Sequence, residues 1–569
     1  MNKKVLFILL FTILAITADA QYPLRYFVAF TDKDNNGYTL SNPSAFLSTR
    51  AIARRTNQNI PYDFHDLPVT QAYVDSVAAH GATVLTITKW FNGVTIETTD
   101  VNILNSILAL PFVVNSVNPI GRKQNPNGGK TTLPPGFIER ESMLHTNASF
   151  APERQQSPQA IDYGYAFNQI HMIGGDYLHS QGYMGEGKVI AMLDAGFLHA
   201  DTLSGFDSIR NNNQILGTRN FVSTLSNNVY ADHWHGCMCL SCIGANWPGH
   251  TVGTAPHASF WLIVTEDAAT ENIVEEYNWA SGAEFADSVG ADIISTSLGY
   301  NTFDGNHNDH AYADMNGRTT PGAKAATIAA EKGILVIAAN GNEGQSSWHF
   351  LDTPADADSI LAVGAVNAAA NYAAFSSKGP ASDGRIKPDV ADQGAGTTVI
   401  DPNNTTTSLN TSANGTSFAT PILAGAAACL WQANPTMTNM QIRQAIIQSA
   451  SQYTHPDSLL GYGIPNFAFA NSILTKIPLP DRHQSTLMDL YPNPFSTSIS
   501  FDLYSDTSQQ IEISLKDAIG KMVITHTYQI DGVSINKFNI LESDYLAKGI
   551  YILEIRSINF LFTRKIVKI

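Results

Sequence analysis

The sequence predicts an α/β protein built on a parallel sheet, preceded by a small α+β domain and followed by an all-β sandwich. Three observations carry that prediction. Between residues 161 and 475, short β-rich runs alternate with stretches of helical apolar spacing, which is how strands joined by covering helices read. After Asn414-Gly-Thr-Ser-Phe-Ala-Thr-Pro421 comes a small, oily run, Ile422 to Leu430, apolar on every side and therefore a helix inside a domain. From Leu490 to Ile569, β-rich runs follow one another at short spacing without helical pattern.

The elements follow in chain order. Lys3 and Lys4 precede an apolar run from Val5 to Thr17 and then Ala18-Asp19-Ala20. This is the pattern of a secretory signal with an A-x-A cleavage site, so 1–20 is expected to be a signal peptide. The run is shorter than the ~20 residues a membrane span needs. Residues 21–120 read as a small split β-α-β domain. Arg25–Phe30 is strand-like, Ala45–Arg55 and Val69–His80 are helical, and Ala82–Thr88 and Gly93–Thr98 flank Trp90-Phe91-Asn92. Val101–Leu110 is a further helix and Phe112–Val117 a last strand. Residues 121–160 are rich in turn signals, with Asn125-Pro-Asn-Gly-Gly129 and Pro134-Pro-Gly136. They are expected to be a linker, and an exposed linker is where a protease cuts.

In the 161–475 region the strands are Lys188–Leu193, Ser259–Val264, Asp292–Ser295, Ile334–Ala338 and Ile360–Val366. The helices are Met238–Ala245, Asn272–Val289, Pro321–Glu331 and the run after Asn414. Proline is tolerated in the first turn of a helix, so Pro421 predicts a start near Ser417. In such sheets the site lies beyond the carboxyl ends of the strands, where Asp194, Ser297 and Asn342 fall. Residues 476–489 form a second linker and 490–569 the sandwich. Its strands are Ile499–Leu503, Gln510–Leu515, Lys521–Thr527, Ile535–Ile540, Gly549–Ile555 and Phe560–Lys568.

Composition excludes some functions. A chain of 569 residues exceeds one core, which points to about three or four domains. The hydrophobic share of 44% is that of a globular protein. Net charge is −16 with Lys and Arg dispersed, which is no footprint for nucleic acid. Three of the four cysteines are bunched at Cys237, Cys239 and Cys242, unlike a disulfide framework.

The chemistry concentrates in three stretches. An acid, Asp194, ends a strand. A histidine, His235, leads an apolar helix in Asp232-His-Trp-His-Gly236. A hydroxyl, Ser417, sits at the start of a buried helix. Unpaired N–H groups and partial positive charge at that helix end favour an oxyanion. Each residue also has a plainer reading: Asp194 and Asn342 as turn residues, Ser417 as an N-cap, and Asn414-Gly-Thr as a chance glycosylation sequon. His233, His235, Cys237, Cys239 and Cys242 raise zinc as a rival. Positions 237 and 239 would face apart on a helix, and buried cysteine behaves as a small hydrophobe. Cys429 could approach Cys239 or Cys242, although nothing in the sequence pairs them.

The order Asp194, His235, Ser417, with these surroundings, resembles the subtilisin-like serine protease family. Other stretches agree in order: Ser295-Thr-Ser-Leu-Gly299, Ala338-Ala-Asn-Gly-Asn-Glu343, Phe375-Ser-Ser-Lys-Gly-Pro380 and Lys387-Pro-Asp-Val390. The resemblance spans roughly 160–475. It implies that Asp194, His235 and Ser417 are catalytic and that Asn342 holds the oxyanion. Ser297, Leu298 and Gly299 would pair with the substrate main chain. It implies no cofactor for the chemistry and allows a structural calcium, for which no ligands are assigned; no metal site is assigned either. Two departures stand out. Cys237 follows His235-Gly236 where the family has threonine, and Asn340 precedes Gly341-Asn342 where it has alanine.

The outer parts resemble known modules too. Residues 24–120 resemble the family's inhibitory propeptide. Leu490-Tyr-Pro-Asn-Pro494, Gly549-Ile-Tyr551 and Lys565-Ile-Val-Lys568 resemble the sorting domain of the type IX secretion system of Bacteroidetes. An accessory sandwich for sugars or cell wall is the plainer reading of that tail. The expectation is a secreted or surface-attached serine endopeptidase made as a zymogen. It would act as a monomer on protein and peptide substrates, meet the export and secretion machinery, and lack a transmembrane segment. The alternative is a catalytically inactive relative serving as a surface binding module.

Overall fold

The computed structural model describes residues 24–122, 143–144, 161–475 and 486–569, apart from 224–225, 305–307, 404–409, 506–507, 531–533, 541–545 and 558–559. The expected signal peptide and most of both expected linkers lie outside the described residues. The chain divides into two compact units, one ending at Thr475 and one beginning at Lys476.

The first unit opens with β1 (Leu24–Ala29), α1 (Thr49–Asn57), α2 (Gln71–Ala79), β2 (Thr83–Thr88), β3 (Gly93–Thr98), α3 (Val101–Leu108) and β4 (Pro119–Arg122). The strands form an antiparallel sheet in the order β2-β3-β1-β4. Phe112–Val117 is not the last strand. Phe112 stacks on Tyr73 of α2 with ring centroids 4.0 Å apart, and Val113 makes only a single bridge to Phe30. Pairing is taken up seven residues later, by β4. Here packing on α2 outweighed the apolar, strand-like text.

The second layer system runs β5 (Met143–Leu144), α4 (Phe167–His171), α5 (Gly175–Ser180), β6 (Val189–Asp194), α6 (Asp207–Asn211), β7 (Ile215–Asn220), α7 (His235–Gly244), the short pair β8 (Asn246–Trp247) and β9 (Thr251–Val252), and β10 (Ser259–Val264). It continues through α8 (Val274–Val289), β11 (Ile293–Thr296), α9 (Pro321–Glu331), β12 (Leu335–Ala339), β13 (Leu361–Asn367), β14 (Val390–Ile400), β15 (Asn410–Asn414), α10 (Thr416–Ala433), α11 (Asn439–Ser449) and α12 (Phe467–Thr475). Nine strands make one sheet, in the order β5-β15-β14-β13-β12-β11-β6-β10-β7. Neighbours are parallel from β14 to β7 and antiparallel at the β5-β15-β14 edge.

Strand β6 shows why the sheet is buried on both faces. Ile190 and Met192 join the core under α7 and α10, while Val189, Ala191 and Leu193 join the core under α8 and α9. With a side-chain period of two, a strand apolar at every position can only sit between two layers. From β6 the chain builds outward in both directions, to β10 and β7 on one side and to β11 and beyond on the other. The crevice past the carboxyl ends of β6 and β11 is therefore the switch point where ligands bind in open α/β sheets.

The N-terminal domain docks on α8. Lys89 N–H and Trp90 N–H donate to Glu284 at 2.8 and 2.9 Å, Phe27 stacks on Tyr277 at 4.5 Å, and Trp90 is buried in the α8–α9 core. Beneath this lies a charged layer. Arg54 and Arg55 of α1 reach Asp287, Arg55 also reaches Asp66, and Lys332 reaches Asp63 and Asp66.

The second unit carries β16 (Thr486–Tyr491), β17 (Ile499–Ser505), β18 (Gln509–Asp517), β19 (Met522–Ile530), β20 (Ser534–Ile540), β21 (Gly549–Arg556) and β22 (Leu561–Lys568). They form a three-stranded sheet, β16-β17-β20, and a four-stranded one, β19-β18-β21-β22. Phe495, Phe501, Ile513, Leu553 and Ile566 share one buried core. The first strand starts at Thr486, inside the expected linker. Among the described residues, no helix is long and apolar enough to cross a membrane.

Candidate active site

Asp194 closes β6 and is buried. Its Oδ1 accepts from its neighbour's amide, Ala195 N–H, at 2.8 Å and pairs with His235 Nδ1 at 2.7 Å. His235 opens α7, so the ring is carried by a helix end packed against the strand end. That approach requires glycine at 236. A Cβ there would stand 2.4 Å from Gly196 O and 2.9 Å from both Cβ and Cγ of Asp194. The next histidine back, His233, is held neutral: burial and the neighbouring His235 push its pKa down to about 4.

Ser417 is the second residue of α10 and its hydroxyl donates to Ser297 O at 3.2 Å. The helix starts at Thr416, so Pro421 lies in its second turn rather than its first. The consequence is local and specific. Proline has no N–H to give the carbonyl four residues back, and that carbonyl belongs to Ser417. Ser417 O instead accepts from Ser297 Oγ at 2.7 Å and from the Cys239 thiol at 3.4 Å. The Cys239 sulfur lies 3.9 and 4.0 Å from the two ring nitrogens of His235. One side chain thus touches both the imidazole and the backbone of Ser417.

Asn342 follows β12. Its Oδ1 accepts from Thr416 N–H at 2.9 Å and from Thr416 Oγ1 at 3.0 Å. This fixes the side-chain amide beside the start of α10. Ser297, Leu298 and Gly299 leave β11 on the other flank, and Ser297 is tied to Ser417 by the two bonds above. The structure therefore links Asp194 to His235 directly, His235 to Ser417 through Cys239, Ser417 to Ser297 directly, and Asn342 to the start of α10 through Thr416, with Leu298 and Gly299 following Ser297 in the chain. All of it lies within α7, α10 and the ends of β6, β11 and β12.

The cysteine-rich stretch does not gather likewise. All four cysteines are buried and free, and burial pushes the thiols of Cys237, Cys242 and Cys429 well above their usual range. Cys429 donates to Thr254 O at 3.1 Å instead of meeting Cys239 or Cys242. Of the five candidate zinc ligands, His235 and Cys239 come together, with Asp194 completing a set whose ligand atoms lie within 4.8 Å of one another. A second such set, Glu266, Glu271 and Glu275, stands after β10. Burial pushes the Glu266 carboxyl up to about 8, and Tyr300 Oη donates to it at 3.0 Å. Glu266 was not singled out in the sequence because no motif marks it.

Comparison with known proteins adds three family matches. Residues 185–463 match the subtilase family, residues 25–131 a peptidase S8 propeptide domain of Bacteroidota, and residues 489–569 a secretion system C-terminal sorting domain. Subtilisin E of Bacillus subtilis (strain 168) is 32% identical over 335 residues, covering 58% of this chain and 74% of that protein. Subtilisin of Bacillus pumilus is 32% identical over 313 residues, 54% of this chain and 98% of that protein. Among solved structures, MycP1 from Mycobacterium smegmatis aligns with a TM-score of 0.43 at 19% identity, over 58% of this chain and 89% of that one.

Proposed function

We propose that this chain, which belongs to the subtilase family and is a subtilisin-like serine endopeptidase, cuts peptide bonds with Asp194, His235 and Ser417 through an acyl-enzyme and is made as a zymogen. It carries a propeptide and a type IX sorting domain and is secreted or attached to the outer cell surface. The observation that carries the catalytic reading is the buried Asp194–His235 pair at 2.7 Å, set against the start of the Ser417 helix.

The steps follow from the residues. Ser417 Oγ attacks the carbonyl carbon and its proton passes to His235 Nε2. Asp194 holds Nδ1–H, which fixes the tautomer and stabilises the imidazolium. Charge that gathers on the carbonyl oxygen meets the Asn342 amide, the Ser417 N–H and the positive end of α10. His235 then gives the proton to the leaving amine. Water, activated by the same imidazole, releases the acyl group and restores Ser417. Ser297–Gly299 would take the substrate main chain as an added strand, which sets register without demanding one sequence. Substrates are proteins or peptides, the secretion machinery is the partner on the way out, and the working form is a monomer. Residues 21–120 act as the propeptide and 490–569 as the sorting module, with processing inside 121–160. The chemistry needs no cofactor.

Casein hydrolysis by the secreted protein, compared with Ser417→Ala and His235→Ala, tests this. Each variant should lose activity by ~10³-fold or more. Full hydrolysis by Ser417→Ala would remove Ser417 from the chemistry, and absence of hydrolysis by the processed wild-type protein would return the chain to the reading of an inactive surface binding module.

A further inference from the structure

We propose that Asp392 is a proton-held latch in the catalytic domain: its carboxyl is neutral in the closed fold, and its ionisation parts β14 from α7 and α10, so that the domain loosens and the enzyme stops as pH rises. The stability half of this stands apart from the catalytic reading. The activity half rests on it, because α7 carries His235 and α10 carries Ser417.

Asp392 lies inside β14 and is fully buried. Val390 belongs to the core under α7 and α10, and a side-chain period of two puts Asp392 on the same face of the strand. Gly394, two residues on, marks what that face meets. A Cβ there would stand 2.6 Å from Gly415 O and 3.4 Å from Ala419 Cβ, on either side of Ser417. Gly415 N–H also donates to Gly394 O at 2.9 Å, so β14 is tied to the start of α10. In that setting the carboxyl is poorly answered. Oδ1 accepts from the amide of Gln393 at 2.6 Å, and Oδ2 has no hydrogen-bond partner among the described residues.

No cation answers it either. Strand β14 pairs with β13 and β15 and packs against α7, α10, α4 and β9. None of those six elements contains a lysine or an arginine. Their titratable groups are His235, Cys237, Cys239 and Cys242 on α7, Cys429 on α10 and His171 on α4. His235 is engaged by Asp194, His171 by Asp176, and Cys429 bonds Thr254 O. Burial, then Cys239 and Asp392, raise the Cys242 thiol, which sets Asp392 within electrostatic reach of α7. Just before the strand, Lys387 and Arg443 both pair with Asp389.

A carboxylate without a cation or a full set of donors is costly to bury, so the group keeps its proton. Burial raises it well above the ordinary 3.8 that it has in the unfolded chain. Folding therefore takes up a proton. The stability carried by neutral Asp392 is complete below the unfolded value and is lost as pH rises towards the folded one, by about tenfold in the folding equilibrium per pH unit.

The test is urea unfolding of the full-length Ser417→Ala chain, with and without Asp392→Asn, from about pH 5 to about pH 9. Tryptophan fluorescence reports the catalytic domain, where Trp234, Trp247, Trp261, Trp279, Trp348 and Trp431 lie. The asparagine variant should gain on its parent by about tenfold in the folding equilibrium per pH unit, because an amide does not titrate. A gap that stays constant with pH overturns the proposal. If Asp392→Asn fails to fold, Asp392→Ala is read for the same slope. In parallel, the rate of fluorophosphonate labelling is followed on the processed enzyme with Ser417 intact. It should fall reversibly at high pH and hold to higher pH in Asp392→Asn. Rates that fall alike in the two enzymes overturn the link to activity. A gap that opens with pH while no label appears at any pH removes the catalytic reading and leaves the latch standing.

Discussion

Replacing Asp287 by asparagine should loosen the docked N-terminal domain by ~3 kcal/mol. Asp287 sits on α8 with a fully buried side chain, and both oxygens accept from Arg55 Nη2, at 2.8 and 3.0 Å. Arg54 Nη2 bonds Oδ1 as well, and Lys89 Nζ lies 3.5 Å from Oδ2. Both arginines are nearly inaccessible, with 3% and 1% of the side chain exposed. Breaking a buried pair from one side costs about 3–5 kcal/mol, because a charge is left behind without its partner. The low end applies here. Asparagine keeps one acceptor oxygen, Arg55 retains Asp66 at 2.8 Å, and Arg54 retains the carbonyls of Ala291, Lys332 and Asp287 itself. A loss of ~3 kcal/mol is ~150-fold in the docking equilibrium. The assay is urea-induced undocking of the uncleaved Ser417→Ala chain, followed through the fluorescence of Trp90, with a Trp90→Phe trace subtracted. Trp90 is suited to this because it is buried against catalytic-domain residues only while docked. A shift below ~0.5 kcal/mol would refute the reasoning. So would an equal loss from breaking the half-exposed Arg50–Asp292 pair, since such pairs are worth roughly 0–1 kcal/mol.

Other outcomes follow from the same geometry. Gly236→Ala should lower kcat by ~10²-fold or more, since its methyl group must displace Asp194 or Gly196; a steady-state rate near wild type contradicts that. Asn342→Ala should cost ~10²–10³-fold in kcat, the size of effect that losing such a donor has in subtilisin; a change confined to KM would remove Asn342 from the oxyanion role. Burial pushes the Glu284 carboxyl up to about 7 in the docked chain from an ordinary 4.5, so its protonation favours docking. That contribution is complete below about pH 4.5 and is lost as pH rises through about 7. Glu284→Gln should flatten this part of the pH profile of undocking, and parallel profiles for the two proteins would exclude Glu284 as the titrating group.

Much of the fold could be read from the residues because its strands are apolar without interruption. The runs at 188–193, 259–264 and 334–338 fall within a residue of β6, β10 and β12. Strands β7 and β14 were not legible: Ile215-Leu-Gly-Thr-Arg-Asn220 and Val390-Ala-Asp-Gln-Gly-Ala-Gly396 carry too much polar and glycine text for a periodicity to show. The helix carrying Ser417 was legible and starts within a residue of the expected place, but Pro421 falls in its second turn. The proline rule concerns helix energetics in isolation, and here Ser297 Oγ and the Cys239 thiol supply the Ser417 carbonyl with the partners proline denies it. Asp194, His235, Ser417 and Asn342 were legible because each sits in a local motif beside a strand end or helix start. Tyr300, which follows the substrate strand, turns its hydroxyl to Glu266 and pairs its backbone with Thr353.

The most direct measurement is peptide mass mapping of the secreted, processed protein after reaction with diisopropyl fluorophosphate. A single phosphoryl adduct on Ser417, absent from His235→Ala, is the result predicted. A protein that stays unmodified, or carries its adduct on another residue, contradicts a catalytic centre made by these three side chains.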